Sequence, residues 1–325
     1  MDVNFNRATE GLRVVEEIAR FVIEDKKITL AVKTLREELS RAIRSSHGLL
    51  GARKALEDVG RVLYTRGEGS RADLESIFKA NIKRAQEAIR CLEEFSKLID
   101  PALGKKFKRM RFKLYDIETK MSDPVAKADK LDFDLYVVTD PKAGPLKTIR
   151  RALAAGVKIV QLRDKNISKD AYFRLAKKAA AIIKKTNTVF ILNDYWDMVG
   201  EVGADGVHLG QEDLKVISIK KVRNAIGNGK LIGISTHSYR QAERAVKLGA
   251  DYISVGPIFA TPSKPGREPV GLNLLKKAVN RIKIPVVAIG GINRSNATRV
   301  IKAGGHRVAV IRAASEAKSI IGLIR

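Results

Sequence analysis

The sequence is poor in several features from which whole classes of protein are built. A single cysteine, Cys91, excludes an internal disulfide, and no zinc-ligand spacing is present. No run of about 18 uninterrupted apolar residues occurs, so no helical membrane span is expected. Aromatic residues are only 6% of the 325, and neither an aromatic RNA-binding signature nor a basic heptad array is found. Met1-Asp2 leads straight into a charged helical pattern with no apolar leader, which predicts a cytoplasmic protein. Acidic residues are scarce as well: 36 Asp and Glu face 62 Lys and Arg, a formal net charge of +26.

That imbalance suits nucleic acid, anionic small substrates or a lysine-rich surface of a heat-adapted protein. Without a base-reading element, anionic small molecules are the better expectation and nucleic acid the weaker one. A 45% hydrophobic content beside 30% charged residues excludes a disordered chain and allows one large core or two ordinary ones.

The first 120 residues read as helix throughout. Leu12, Val15, Ile18, Ala19 and Val22 recur at three-to-four spacing. A shift of 77 positions lays NFNRATEGLRVVEE (4–17) on NIKRAQEAIRCLEE (81–94), with seven identities in fourteen, which predicts two related helices facing each other. Along each, Arg7, Glu10 and Arg13, or Arg84, Glu87 and Arg90, are spaced to pair at i,i+3 as a charged network. Asp58–Arg61 and Gly67–Ser70 read as a loop, and Ser122-Asp123-Pro124 as a turn opening a 122–130 linker. The expected organisation is therefore a helical domain over 1–121, the linker, and a second domain over 131–325.

From Leu131 the period changes. LYVVTD, KIVQLRD, VFILND, GVHLG, LIGIST, YISVGP, PVVAIGG and RVAVIRA alternate with amphipathic helical stretches. Eight such units at this density predict an α/β protein with a (β/α)8 TIM barrel preceded by an all-α domain. An open doubly wound sheet is the rival, and it leaves the eight units and the polar strand ends unexplained.

Those polar ends carry the chemistry, because sites in such barrels lie at the C-terminal ends of the strands. In strand order they are Gln161, Arg163 and Lys165; Asn193-Asp194; Gln211 and Asp213; Ser235 and His237; Thr261, Ser263 and Lys264; Gly290-Gly291; and Ile311-Arg312. Asp194 and Asp213, after neighbouring strands, suit Mg²⁺, a hard ion held by one or two carboxylates together with substrate phosphates. Salt bridging to Arg163 and Lys165 is the plainer alternative. Gly290-Gly291 and the 311–313 turn suit a second, metal-free phosphate site built from backbone N–H groups. No Ser-His-Asp or paired-carboxylate acid/base arrangement is evident.

Taken together, QLRDK, ILNDYWD, GVHLGQEDL, GISTHS, ISVGPIFATPSK, VVAIGGIN and RVAVIRA resemble the thiamine-phosphate synthase family over roughly 135–314. The N-terminal repeat looks like the helical extension of that family's long forms. The resemblance implies a transferase of thiamine biosynthesis that joins 4-amino-5-hydroxymethyl-2-methylpyrimidine diphosphate to 4-methyl-5-(2-phosphoethyl)thiazole and releases pyrophosphate. It implies that Gln161, Arg163, Lys165, Asn193, Ser235 and Lys264 hold the pyrimidine diphosphate, with Leu162, Asp164 and Pro262 in the same binding segments. Asp194 and Asp213 would hold Mg²⁺; Thr261, Ser263, Gly291, Ile311 and Arg312 would hold the thiazole phosphate. Arg163, Lys165 and Lys264 would act on the leaving group. The partners implied are small-molecule substrates, with no membrane; a homo-oligomer is left open. Two positions depart from the family's habit: Ser263 stands where a threonine is common, and Arg312 where a serine is. The rivals are a thiazole tautomerase of the same fold, using His237 for proton transfer, and a basic nucleic-acid-binding regulator.

Overall fold

A computed structural model describes residues 1–44, 70–262 and 266–324, without the side chains of 43 and 44. They divide into two compact units, Met1–Asp129 and Lys130–Arg325. The loop stretches read at Asp58–Arg61 and Gly67–Gly69 lie outside the described residues, as does His47.

Among the described residues, four helices build the first unit. Helix α1 (Asp2–Glu17) runs on through a π-helical turn, Ile18–Val22, and is followed by α2 (Lys26–Arg44), α3 (Leu74–Ser96) and α4 (Pro101–Lys130). Helix α3 starts at a capping box, where the Asp73 carboxylate accepts from the Ser76 N–H while the Ser76 hydroxyl accepts from the Asp73 N–H. The two repeated segments do pack on each other, through Ala8, Leu12 and Val15 against Ala85, Ile89 and Leu92. Gly11 permits the close approach, since a Cβ there would sit 2.7 Å from the Asn81 carbonyl oxygen.

The charges along these helices pair with other partners than Arg7, Glu10 and Arg13 or Arg84, Glu87 and Arg90 among themselves, and Arg90 keeps an i,i+3 partner in Glu93 at 2.9 Å. Arg13 meets Glu17 and Arg90 meets Glu94, each at 2.8 Å and one full turn onward. Their neighbours Glu16 and Glu93 turn inward, where Arg36 and Arg111 reach them at 3.1 and 2.9 Å. An acid four residues on lies over the same helix face as its arginine, so it competes well with one three residues away.

The linker expectation is corrected too. Residues 122–130 are the end of α4, with Pro124 inside the helix. A proline costs a helix interior about 3 kcal/mol. Here the apolar stripe Leu114, Ile117, Met121 and Val125 stays buried across the proline, and that burial offsets the cost.

In the second unit eight parallel strands close in sequence order, with β1 pairing to β8. They are β1 (Leu135–Val138), β2 (Ile159–Leu162), β3 (Val189–Asn193), β4 (Gly206–Leu209), β5 (Leu231–Thr236), β6 (Tyr252–Val255), β7 (Val286–Ile289) and β8 (Arg307–Val310). The helices between and after them are α5 (Pro145–Ala154), α6 (Lys169–Ile183), α7 (Val199–Val202), α8 (Asp213–Val216), α9 (Ile219–Ile226), α10 (Tyr239–Lys247), α11 (Gly271–Arg281), α12 (Ala297–Lys302) and α13 (Ala317–Ile324). Ser168, Ser218 and Ser238 cap α6, α9 and α10 with their hydroxyls, which is why those helices begin where they do.

Both faces of each strand are covered, and this makes the runs continuously apolar. Side chains still alternate. Val137, Val160, Leu162, Phe190, Leu192, Val207, Ile232 and Ile253 face the helices, whereas Tyr136, Ile159, Ile191, Leu231, Tyr252 and Val287 fill the barrel interior. That parity decides which residues reach the mouth.

Candidate active site

A cavity of about 400 Å³ opens inside the barrel mouth. It gathers eleven of the sequence-predicted residues: Gln161, Arg163, Lys165, Asn193, Asp194, Ser235, Thr261, Pro262, Gly291, Ile311 and Arg312. Three others are not on its wall. Leu162 falls on the outward parity of β2, and its side chain packs among the helices. Asp164 is buried and turned back to accept from the Asn166 N–H at 3.0 Å, which shapes the loop carrying Arg163 and Lys165. Asp213 lies one step behind the wall. Ser263 and Lys264 lie outside the described residues.

The acids form a compact group. Asp194 sits directly after β3 at φ 65°, a left-handed conformation that few side chains other than Asn and Asp tolerate. Its carboxylate is 2.9 Å from Lys165 Nζ and within hydrogen-bonding contact of Asp213. Asp213 Oδ2 accepts from the Gly210 N–H at 2.7 Å, which anchors it against the end of β4. Burial, and after it the neighbouring Asp194 carboxylate, push the Asp213 carboxyl above its ordinary value. Two acids are held together this way, with one ammonium beside them.

Below the mouth lies a polar chain that reasoning from strand ends missed. Gln161 Nε2 donates to the Tyr136 hydroxyl at 2.8 Å, and that hydroxyl is 3.0 Å from the Tyr252 hydroxyl. Tyr252 Oη is 3.1 Å from His208 Nδ1, and His208 Nε2 is 3.0 Å from Ser235 Oγ. His208 is thus bonded on both ring nitrogens. The available signal was parity: Tyr136, Gln161, His208, Ser235 and Tyr252 all fall on inward positions.

On the far side Gly290 and Gly291 have φ of 99° and 69°. A Cβ on Gly291 would lie 2.6 Å from the Ala260 carbonyl oxygen, so the loops after β6 and β7 touch only because glycine stands there. Arg312 opens a 3₁₀ turn, Arg312–Glu316, on the same rim.

The family model described as "Thiamine monophosphate synthase" matches residues 135–314, the span that builds this barrel and its mouth. The chain belongs to the thiamine monophosphate synthase family. A thiamine-phosphate synthase from Synechocystis is 39% identical over 316 residues, covering 97% of this chain and 91% of that one. Another from Gloeobacter violaceus is 40% identical over 313 residues, with 96% and 90% covered. Among solved structures, the thiamine phosphate pyrophosphorylase from Pyrococcus furiosus aligns with a TM-score of 0.54 at 33% identity, over 60% of this chain and 96% of that one. Residues 1–120 match a second model, the "ThiD2 family". The chain is an enzyme, a transferase of thiamine biosynthesis.

Within the family's fold the tautomerase rival loses its residue. The His237 ring is hydrogen-bonded through Nδ1 to the Gly256 carbonyl and does not line the cavity. Among the described residues no helix is long and apolar enough to cross a membrane.

Proposed function

We propose that this cavity binds the pyrimidine diphosphate and the thiazole phosphate side by side and joins them to give thiamine phosphate and pyrophosphate. The observation that carries the reading is the meeting of Lys165 and Asp194 with Gln161 and Arg163 in one cavity, with Asp213 set against Asp194 just behind its wall. Gln161, Asn193 and Ser235 hold the pyrimidine ring end, and Arg163 and Lys165, with Lys264, hold the diphosphate. Thr261, Ser263, the Gly291 backbone, Ile311 and Arg312 hold the phosphate of the thiazole.

In the reaction the bond from the pyrimidine's methylene carbon to oxygen breaks, and its electron pair leaves on pyrophosphate. The amino-substituted ring spreads the positive charge left on carbon, and the thiazole nitrogen lone pair forms the new carbon–nitrogen bond. No proton has to be removed from that nitrogen, so a strong general base is unnecessary. Preorganised cations aimed at the departing oxygens lower the barrier, and holding the two rings in line supplies the rest.

Asp194 and Asp213 fit Mg²⁺: they are hard oxygen donors facing each other, with Asp213 raised first by burial and then by the neighbouring carboxylate. They need no third acid, since substrate phosphates complete such a site. When bound, the ion supplies positive charge against the leaving pyrophosphate. The decisive assay is thiamine phosphate and pyrophosphate formation by the purified chain from both substrates, with and without Mg²⁺. No product at any Mg²⁺ concentration would overturn the reading.

We assign this chemistry to 131–325 and propose that the helical unit is dispensable for it. All the assigned residues lie in the barrel, which closes its own sheet, and the Pyrococcus furiosus pyrophosphorylase aligns with only 60% of this chain. A chain starting at Lys130, which keeps the 3.0 Å Lys130–Asp205 ion pair, should make thiamine phosphate at an unchanged rate. Loss of turnover in a folded, soluble truncation would transfer part of the site to the helices.

A further inference from the structure

The hydrogen-bonded chain along the cavity floor has a polarity, and that polarity reaches the substrate. Tyr252 is fully buried and is no wall of the cavity, yet its hydroxyl links Tyr136 to His208. We propose that Tyr252 is the positioning residue of a one-directional hydrogen-bond relay that fixes which polar groups Gln161 and Ser235 turn toward the pyrimidine. This rests on the reading that the cavity takes an aminopyrimidine diphosphate.

The direction follows from counting donors. A phenol has one proton. Tyr136 receives an N–H from Gln161 Nε2, so its own proton goes to Tyr252, and the Tyr252 proton goes to His208 Nδ1. A neutral imidazole that accepts at Nδ1 carries its proton on Nε2, which faces Ser235 Oγ at 3.0 Å and, less closely, Ser254 Oγ at 3.3 Å. Ser254 donates to the same Ser235 oxygen at 3.4 Å. The Ser235 proton is then left for the cavity, while Gln161, committed through Nε2, turns its Oε1 to the cavity. Burial pushes both phenols above their ordinary range, so both remain donors at working pH. Gly233 keeps the links in register: a Cβ there would lie 2.1 Å from Tyr252 Cζ and 2.5 Å from His208 Nδ1.

The cavity therefore offers an acceptor at Gln161 and a donor at Ser235, a pattern that suits an exocyclic amine and a ring nitrogen. In a pyrimidine with oxygen in place of that amine, the acceptor oxygen would oppose Gln161 Oε1. A relay running the other way would invert both ends at once and favour the oxo compound. Sites built on such pairing reject a mismatched analogue strongly because buried polar groups are left unpaired.

Two measurements on the full chain test this. The first is the ¹⁵N NMR tautomer of His208 in the unmodified enzyme, which has four histidines, the signal being assigned with His208→Gln. The Nε2–H tautomer is expected; an Nδ1–H tautomer overturns the relay. The second is the ratio of kcat/KM for the aminopyrimidine diphosphate to that for its oxo analogue. In Tyr252→Phe this discrimination should fall by about tenfold or more, with the KM for the thiazole phosphate unchanged. Full discrimination in a folded Tyr252→Phe enzyme overturns the proposal. Should that variant not fold, the tautomer alone decides. An unmodified enzyme that forms no thiamine phosphate defeats the functional reading, and the tautomer still tests the relay.

Discussion

The helical unit and the barrel both bury polar side chains, and they do so to different ends. In the helices Glu93, only 2% exposed, takes both Arg90 and Arg111 at 2.9 Å, and Gln86 donates to Glu118, so these buried groups are met by other side chains of the same unit. In the barrel the chain through Tyr136, Tyr252 and His208 ends at Gln161 and Ser235, and every member but Tyr252 lines the cavity. A polar network satisfied at every member specifies one packing; one whose last members face a cavity also specifies a ligand. Polar groups inside a protein are thus informative chiefly by where their chains end.

Mutations at the two kinds of chain should separate cleanly. The largest effect is expected at the mouth. Asp194→Asn keeps a side chain that tolerates φ 65° but removes a metal donor and the partner of Lys165, so turnover should drop by roughly 100-fold or more with the fold retained. Near-normal turnover would remove the carboxylates from the mechanism. Glu93→Gln should do the opposite, leaving turnover intact and lowering stability to denaturant by about 3 kcal/mol, because Arg111 would lose its buried counter-charge. A fall in turnover without loss of stability would mean that the helical network is not closed.

Smaller changes sharpen the contrast. Gly291→Ala introduces a Cβ 2.6 Å from the Ala260 carbonyl at a positive φ, and the loop movement needed should raise the KM for thiazole phosphate about tenfold, equivalent to about 1.4 kcal/mol. Steady-state kinetics varying each substrate in turn distinguishes this from a loss of rate. The smallest effect concerns pH. Asp213 titrates above its ordinary 3.8 in the folded state, so the protonated form is favoured by folding. Its contribution to stability is full below the unfolded value and is lost as pH rises through the raised folded value. In chelator, the melting temperature of the unmodified enzyme relative to Asp213→Asn should therefore fall over that interval. Mg²⁺ should reverse the trend, and a difference that ignores both pH and Mg²⁺ would show that Asp213 is not part of a cation site.

Much of this arrangement was legible before any coordinates, and the reason is local. Strand and helix order follows from period, a property of each segment by itself. The polar strand ends pointed to the mouth because a parallel barrel has only one face where they emerge together. Leu162 and Asp164 were drawn in by their neighbours Gln161 and Arg163, since a motif written as a string has no inside or outside. Pro124 read as a stop because its local cost is visible, whereas the burial of Met121 and Val125 that outweighs it is not.

What the sequence by itself determined is therefore the set of elements, their order, and the family whose motifs they carry, all properties of residues within a few turns of one another. Tertiary structure alone decided that Asp194 would face Asp213, that Tyr136 would reach Tyr252 across 116 positions, and that Tyr252 would reach His208 across 44. Those meetings depend on strand register and on closure of β8 against β1. A one-residue slip in register would turn each inward side chain to the opposite face, and only the packing of the whole barrel prevents it.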